Sequence, residues 1–563
     1  MAEDVELAHL LDCKEISLMT VLNEKSHDGA PDSPTEFDTV IVGAGFGGLR
    51  MLHEMRELGL SAVAIESGSD VGGTWYWNRY PGARTDSESW MYAFPIPEIQ
   101  EEWNWTERYP TQPEALGYLN FLADRLDLRR DIRFHTRVTA AEFHEEKQIW
   151  TVHTDAGDTL TCTYFVPAAG PLNVPYKPDF DGLADFQGEW HVSGRWPHEG
   201  VDFKDKKVAV IGTGATAVQI IPVIAHTAAE VTVFQRTPNY VLPARNYTLS
   251  DEQRQGIRAD YDRIWEQCRK HFFGFDMQPA GRTIHDVTAE EAQKILEWGW
   301  ETGGFRFIFE TFDDILVDPK SNKVVADFAR DKIRSIVKDP ETAELLCPKD
   351  YPIVGKRPPL GHFYYEAFNR DNVHLVDVST TPISRITPTG VAVGDQEYEV
   401  DIIIFATGFD GQTGSYTGLD IRGRDGVKLS DKWADGPRTH LGIGVDGFPN
   451  MFMVGGPQAP FANFPVIIDG VADWIGRAIR FMNDRGIKSI EPRPEAVEGW
   501  RQKVNAIVDA TVLSEGPHSW FLGTNIPGKP KAALFYFAGV GAYRDDCNEV
   551  ADRDFDSFAL SPA

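Results

Sequence analysis

The chain has 563 residues, 42% hydrophobic and 12% aromatic, which is enough for two or three domains with substantial cores. Its 55 Lys+Arg against 85 Asp+Glu leave a formal net charge of -30, which argues against nucleic acid or an anionic membrane as a partner and requires any phosphate site to be locally basic. Cys13, Cys162, Cys268, Cys347 and Cys547 are scattered, with no CxxC and no His cluster at metal spacing, so a reduced intracellular protein with no metal site is expected and a disulfide reductase is not.

The N-terminus, Met1-Ala-Glu-Asp-Val-Glu, is acidic where a signal or transit peptide would be basic, and no run of 18 apolar residues occurs, so a cytoplasmic location is expected. Residues 1–36 read as an extension with a helical segment, Val5 to Leu22, and a polar linker. It is expected to pack on the surface or on a neighbour. The β-branched strand Phe37-Asp-Thr-Val-Ile-Val42 then runs into Gly43-Ala-Gly45-Phe-Gly-Gly48 and a helix from Leu49 to Leu58. Glycine lets the backbone turn tightly and bring its amides against a pyrophosphate at the helix N-terminus. The next strand, Ala62-Val-Ala-Ile65, ends in Glu66, whose carboxylate can accept hydrogen bonds from ribose hydroxyls. That suits FAD or NAD.

After Pro167-Ala-Ala-Gly170, the residues Pro171, Pro175 and Pro178 mark a linker. A second strand–loop–helix unit follows: Lys207-Val-Ala-Val-Ile211, then Gly212-Thr-Gly214-Ala-Thr-Ala217, then a helix from Val218 to His226. Its second strand, Val231-Thr-Val-Phe234, ends in Gln235-Arg236-Thr237, with no carboxylate to repel a 2′-phosphate and a guanidinium able to grip one. That suits NADPH. Ser250-Asp-Glu-Gln253 and Thr288-Ala-Glu-Glu291 read as capping boxes opening helices in an insertion over 245–345. Asp401-Ile-Ile-Ile-Phe405, leading into Ala406-Thr407-Gly408, looks like the return of the chain to the first domain. The expected architecture is therefore α/β, with two Rossmann-like dinucleotide-binding domains: 37–175 with 385–563 for FAD, 176–244 with 346–384 for NADP, and the helical insertion between.

The stretch Gly72-Gly73-Thr74-Trp75-Tyr-Trp-Asn-Arg-Tyr80-Pro81-Gly82-Ala-Arg-Thr-Asp86 resembles the longer fingerprint of type I Baeyer–Villiger monooxygenases in full, and the Ala406-Thr407-Gly408 signature resembles one of two-dinucleotide flavoproteins. The family's second fingerprint, FxGxxxHxxxWP, is similar to Phe186-Gln-Gly188-Glu-Trp-His191-Val192-Ser-Gly-Arg-Trp196-Pro197, but here the histidine is one place early and Val192 stands at its position. No role is carried over to His191. The resemblance spans nearly the whole chain from residue 37 and implies a catalyst that inserts oxygen beside a ketone carbonyl, using FAD, NADPH/NADP+ and O2 through an anionic C4a peroxide of the flavin. It further implies that Arg357 stabilises that anion and the tetrahedral adduct, that Asp86 orients Arg357 and contacts the nicotinamide side, and that Lys356 joins Arg236 and Thr237 on the 2′-phosphate. Gly73, Thr74 and Trp75 are likewise implied in cofactor binding, and Trp520 in the loop Leu513 to Lys531 is implied to close over NADP.

Taken singly, several of these residues also have a plain structural reading. Arg357 could be a surface arginine, Asp86 a turn cap, Lys356 a solvated lysine and Trp520 a core side chain. The two phenylalanines of Gly455 to Phe464 suit an apolar pocket or a packed loop. The expected reaction converts a cyclic or bulky apolar ketone into an ester or lactone, with sulfoxidation as a side activity, in a monomer or weak dimer. The alternatives are a flavin-dependent N/S-oxygenase and, from another class, a flavoprotein redox sensor or a binding scaffold that does not turn over; ketone-stimulated oxygen uptake separates them.

Overall fold

A computed structural model of the chain describes residues 35–516 and 518–562, so the expected helix Val5 to Leu22 lies outside the described residues. Two sheets organise the molecule. The first has seven strands in the spatial order Asp420–Arg422, Val138–His144, Ile149–Thr154, Thr159–Pro167, Glu36–Val42, Ala62–Ile65 and Ile132–Arg133. Its half around Glu36–Val42 is parallel and buried on both faces, whereas Val138–His144, Ile149–Thr154 and Thr159–Pro167 form an antiparallel meander. The second sheet is wholly parallel, in the order Val373–Asp377, Glu230–Gln235, Lys207–Ile211, Ile402–Phe405 and Glu189–Val192. Each sheet carries one expected strand–loop–helix unit, with helices Phe46–Glu57 and Ala215–Ile224.

One expected boundary is corrected. The strand 401–405 is expected to lie in the returning segment 385–563 of the first domain, yet Ile402–Phe405 pairs with Lys207–Ile211 on one side and Glu189–Val192 on the other, inside the second sheet. Just before it, Ile386, Val391 and Val393 pack with Ala209, Ile211 and Phe234 of that same unit. The chain returns only after Phe405, when Asp420–Arg422 joins the first sheet and the long helix Phe464–Arg485 packs on Phe46–Glu57, tied by Arg50 Nε donating to Asp469 (3.1 Å). The two crossings between domains run side by side: Tyr176 N donates to Gly408 O, and Asp410 N to Val174 O, both at 2.9 Å.

Both capping boxes form, at Ser250 with Gln253 and at Thr288 with Glu291. The helix Ala289–Thr302, opened by Thr288, buries Leu296 and Trp300, and the helix Tyr261–Lys270, which follows the one opened by Ser250, buries Trp265, in the core that also holds Leu49 and Leu52 of the first unit. Farther along the same insertion, Ile333 and Val337 pack with Val208 and Val231 of the second. The insertion thus leans on both units.

The long fingerprint forms a contact between them. Gly82 has φ +79°, and a Cβ there would lie 2.3 Å from the carbonyl oxygen of Gln219 on the second unit's helix. Tyr80 Oη donates to Gln219 Oε1 (3.0 Å), and Gln219 Nε2 donates to the Arg84 carbonyl (3.1 Å). Gly82→Ala is therefore expected to cost about 1–3 kcal/mol from overpacking at a left-handed backbone position. A drop in thermal midpoint against the native chain would show this, and an unchanged midpoint would deny the close approach.

Candidate active site

Both nucleotide loops are built by backbone. Gly43 and Gly212 take φ +99° and +112°, and a Cβ on Gly48 would fall 1.9 Å from Gly43 O, so only glycine lets the helix pass that close to the loop. The helix N-caps, Gly45 and Gly214, offer no side-chain cap, which leaves first-turn N–H groups without a capping side chain. Nothing lies within 4 Å of a Cβ built on Gly214, and Ala217 is fully buried against the second sheet. Gly73, φ +52°, packs against Gly45, where an added Cβ would stand 2.9 Å from its Cα. It heads the short helix Thr74–Trp77, whose Trp75 is buried, donates from Nε1 to Tyr92 Oη (3.2 Å) and accepts from Gln112 Nε2 at its carbonyl. The loop of the first unit and the start of the fingerprint therefore form one cradle, in which Gly72 N donates to Ala44 O at 3.0 Å. Glu66 is buried, and its carboxylate accepts from Ala44 N (2.8 Å) and Gly68 N (2.7 Å). Open helix N-termini, a Cβ-free cradle and an acid at the first strand end fit a dinucleotide with a free 2′-hydroxyl.

The second strand end differs. Gln235 turns inward and donates to Leu345 O (2.7 Å), while Arg236 is exposed and Thr237 half-buried, with Thr213 Oγ1 donating to the Thr237 carbonyl (2.8 Å). Lys356 sits over the Tyr351 ring at 5.0 Å, and burial, reinforced by Arg236, lowers its pKa to about 8. His518 is held below its usual range by burial and by the same two cations. A locally basic spot thus exists in an acidic protein, as any phosphate site there requires. His518 escaped sequence reasoning because it joins Arg236 and Lys356 only through folding.

Arg357 and Asp86 meet. The guanidinium Nη2 donates to Asp86 Oδ2, which also accepts from Leu360 N (3.4 Å). The Asp86 side chain is 4% exposed and that of Arg357 25%. Burial pushes the Asp86 carboxyl above the usual range, opposed first by the charge of Arg357. Asp86 Oδ1 is buried and has no protein partner. Arg357 and Pro358 reach a cavity of about 40 Å³ whose other walls are apolar, among them Phe273, Phe309, Phe461, Phe521 and Phe537. Among the described residues, Arg357 is the only charged group on that lining. Of the two phenylalanines in Gly455 to Phe464, Phe461 lines the cavity, whereas Phe464 opens the helix Phe464–Arg485. Trp520 is half-buried, edge-on to Phe461 (5.3 Å) and Phe535 (5.1 Å). Its loop is pinned to the interdomain crossing by Asn525 Nδ2 donating to Phe409 O (2.9 Å) and by Lys529 Nζ donating to Asp410 and to Gly411 O.

In the second fingerprint, Gly188 and Gly194 are demanded by space, since a Cβ would lie 2.2 Å from Asp401 O and 2.6 Å from the Phe409 ring. His191 and Val192 are neighbours on a strand and project to opposite faces. The His191 ring lies 5.5 Å from Trp196, while Val192 packs on the cluster with Phe405, so His191 does not take over the position of Val192.

Among the described residues, His285, Asp314 and Asp318 bring donor atoms within 4.8 Å of one another. They are taken up by hydrogen bonds: Asp318 caps a helix at Lys320 N and meets His285, while Asp314 accepts from Ser321 Oγ. The described cysteines are free and buried. Among the described residues, no helix is long and apolar enough to cross a membrane.

Two strand–loop–helix nucleotide units, joined through a fingerprint that ends at a buried Asp–Arg pair beside an apolar cavity, define a two-dinucleotide oxidoreductase. A family model described as pyridine nucleotide-disulphide oxidoreductase matches residues 40–269. A Baeyer–Villiger monooxygenase from Pseudooceanicola batsensis is 44% identical over 526 residues, covering 93% of this chain and 96% of its own. The phenazine N-monooxygenase PhzNO1 of Lysobacter antibioticus is 42% identical, covering 93% of this chain and 97% of its own. The crystal structure of OTEMO in complex with FAD and NADP aligns with a TM-score of 0.90 at 42% identity, covering 94% of this chain and 100% of that one. The chain belongs to the Baeyer–Villiger monooxygenase family.

Proposed function

We propose that the chain holds FAD at Gly43, Gly45, Gly48, Glu66 and the Gly73–Thr74–Trp75 cradle, and NADP at Gly212, Gly214, Ala217, Arg236, Thr237, Lys356 and Trp520. It uses them to convert a cyclic or bulky apolar ketone, with O2, into an ester or lactone. The observation that carries this reading is Arg357, paired to a buried Asp86 and set as a charged group in an apolar cavity wall. The flavin, when bound, takes electrons from NADPH and activates O2. The Arg357 guanidinium can stabilise negative charge developing beside the carbonyl. Asp86 orients it, and the phenylalanine walls exclude water. We further propose that the first sheet with the chain after Phe405 forms the FAD-binding domain, that the second sheet forms the NADP-binding domain, and that the protein works in the cytoplasm as a monomer or weak dimer.

The test is anaerobic reduction with NADPH, then mixing with oxygenated buffer and a panel of cyclic ketones, aryl ketones, amines and sulfides. Ester formed with matching NADPH consumption supports the reading. N-oxide or sulfoxide without ester would move the chain to heteroatom oxygenation, a reading kept in view by the similarity to a phenazine N-monooxygenase.

Arg236→Ala is expected to raise the KM for NADPH by about tenfold or more, the worth of a charge-assisted contact, and to leave NADH almost unaffected. Equal effects on both nucleotides would refute the 2′-phosphate assignment. Because Lys356 is charged below about 8 and loses its proton as pH rises through that value, kcat/KM for NADPH should fall above pH 8 while that for NADH does not.

A further inference from the structure

Two walls of the Arg357 cavity, Phe272 and Phe273, come from the turn that follows the helix Tyr261–Lys270. Phe273 is the ring on which others converge, with centroids of Phe461 at 5.2 Å, Phe309 at 5.3 Å and Phe305 at 6.0 Å. A turn of this kind leaves backbone N–H groups without helical partners, and here one side chain takes two of them. His271 Nδ1 accepts from Phe273 N (3.0 Å) and from Phe275 N (3.3 Å). The same imidazole stacks on Phe275 (6.0 Å, 29°) and meets Phe309 edge-on (5.3 Å, 85°). From the other side the turn is fixed by Asn463 N donating to Phe273 O (3.0 Å) and Val540 N donating to Phe272 O (3.0 Å).

His271 is 6% exposed and does not itself line the cavity. To accept from two amides its Nδ1 must carry a lone pair, so the ring must be neutral with the proton on Nε2. Burial, reinforced by the charge of Arg306, keeps the pKa near 4, so that form persists in neutral solution.

We propose that His271 is a positioning residue that sets the ketone selectivity of the Arg357 cavity, by holding the Phe272–Phe275 turn through Nδ1 and bracing Phe309 with its ring. This rests on the cavity being the ketone site.

The test compares His271→Leu, which removes the acceptor, with His271→Asn, whose Oδ1 can stand near the Nδ1 position, and His271→Gln, whose acceptor reaches farther out. All are measured as FAD-loaded enzyme, for kcat and KM over ketones of graded size and for the rate of anaerobic flavin reduction by NADPH. His271→Leu and His271→Gln are expected to raise the ketone KM by about tenfold and to flatten the size preference, the scale at which a reshaped apolar pocket loses discrimination. His271→Asn should recover most of the loss, and flavin reduction should stay unchanged throughout. Should His271→Leu fail to fold, the contrast between Asn and Gln still decides. If Asn is no better than Gln, or if size preference is unmoved, the proposal is overturned. Phe273→Ala serves as the control for the cavity: a changed preference there with none at His271 sinks only the role of His271, and no change at either position sinks the cavity as ketone site.

Discussion

Arg357→Ala is expected to lower ester formation by at least about 10²–10³-fold, the cost of removing one preorganised group aimed at developing negative charge. NADPH should still reduce the flavin, because the residues proposed to grip the 2′-phosphate, Arg236 and Thr237, belong to the second strand end and Lys356 keeps its place over Tyr351. The variant should therefore consume NADPH and oxygen while releasing hydrogen peroxide in place of ester. Arg357→Lys keeps a cation but loses the planar array of donors that meets Asp86, so it should restore only part of the activity. Product analysis beside NADPH and peroxide assays separates these outcomes. Substantial lactone from Arg357→Ala would remove the assigned role, and loss of flavin reduction as well would mean that the residue acts in nucleotide binding.

The legible parts of this protein were those fixed locally. A strand of β-branched residues, a glycine turn and a helix occupy contiguous sequence, so both nucleotide units and both capping boxes could be read directly, as could the charge contrast between Glu66 and Arg236. Ile402–Phe405 shows the limit. Four apolar residues specify a fully buried strand but not which sheet takes them, because that choice lies with Val208 to Ile211 and with Glu189 to Val192, far away in the chain. The cavity was visible only in outline for the same reason. Phe273, Phe309, Phe461 and Phe537 come from four separate segments, and only Phe461 fell in a stretch with a sequence signal. His271 gave no signal at all, since an imidazole accepting from the two amides that follow looks in sequence like any histidine before an aromatic run.

Asp86 and Arg357 should behave as one unit, which makes the double substitution more informative than either single one. Asp86→Ala removes the carboxylate that fixes the guanidinium, leaving a cation in an apolar wall with no partner to aim it. Ester formation is expected to fall by about 10²-fold, the scale at which a misplacement of about 1 Å acts on a reacting geometry. The pair is largely buried, so Asp86→Ala should also lower stability, by as much as about 3–5 kcal/mol if the guanidinium stays unpaired and less if it swings toward solvent, as its 25% exposure allows. Asp86→Asn separates the two effects: it keeps the shape and an acceptor for Leu360 N but gives up the charge that holds Arg357 in place. If the carboxylate works only through the arginine, Asp86→Ala/Arg357→Ala should be scarcely slower than Arg357→Ala alone. Additive losses would instead give Asp86 an independent task, and its buried, unpartnered Oδ1 is the atom that could perform it toward the nicotinamide.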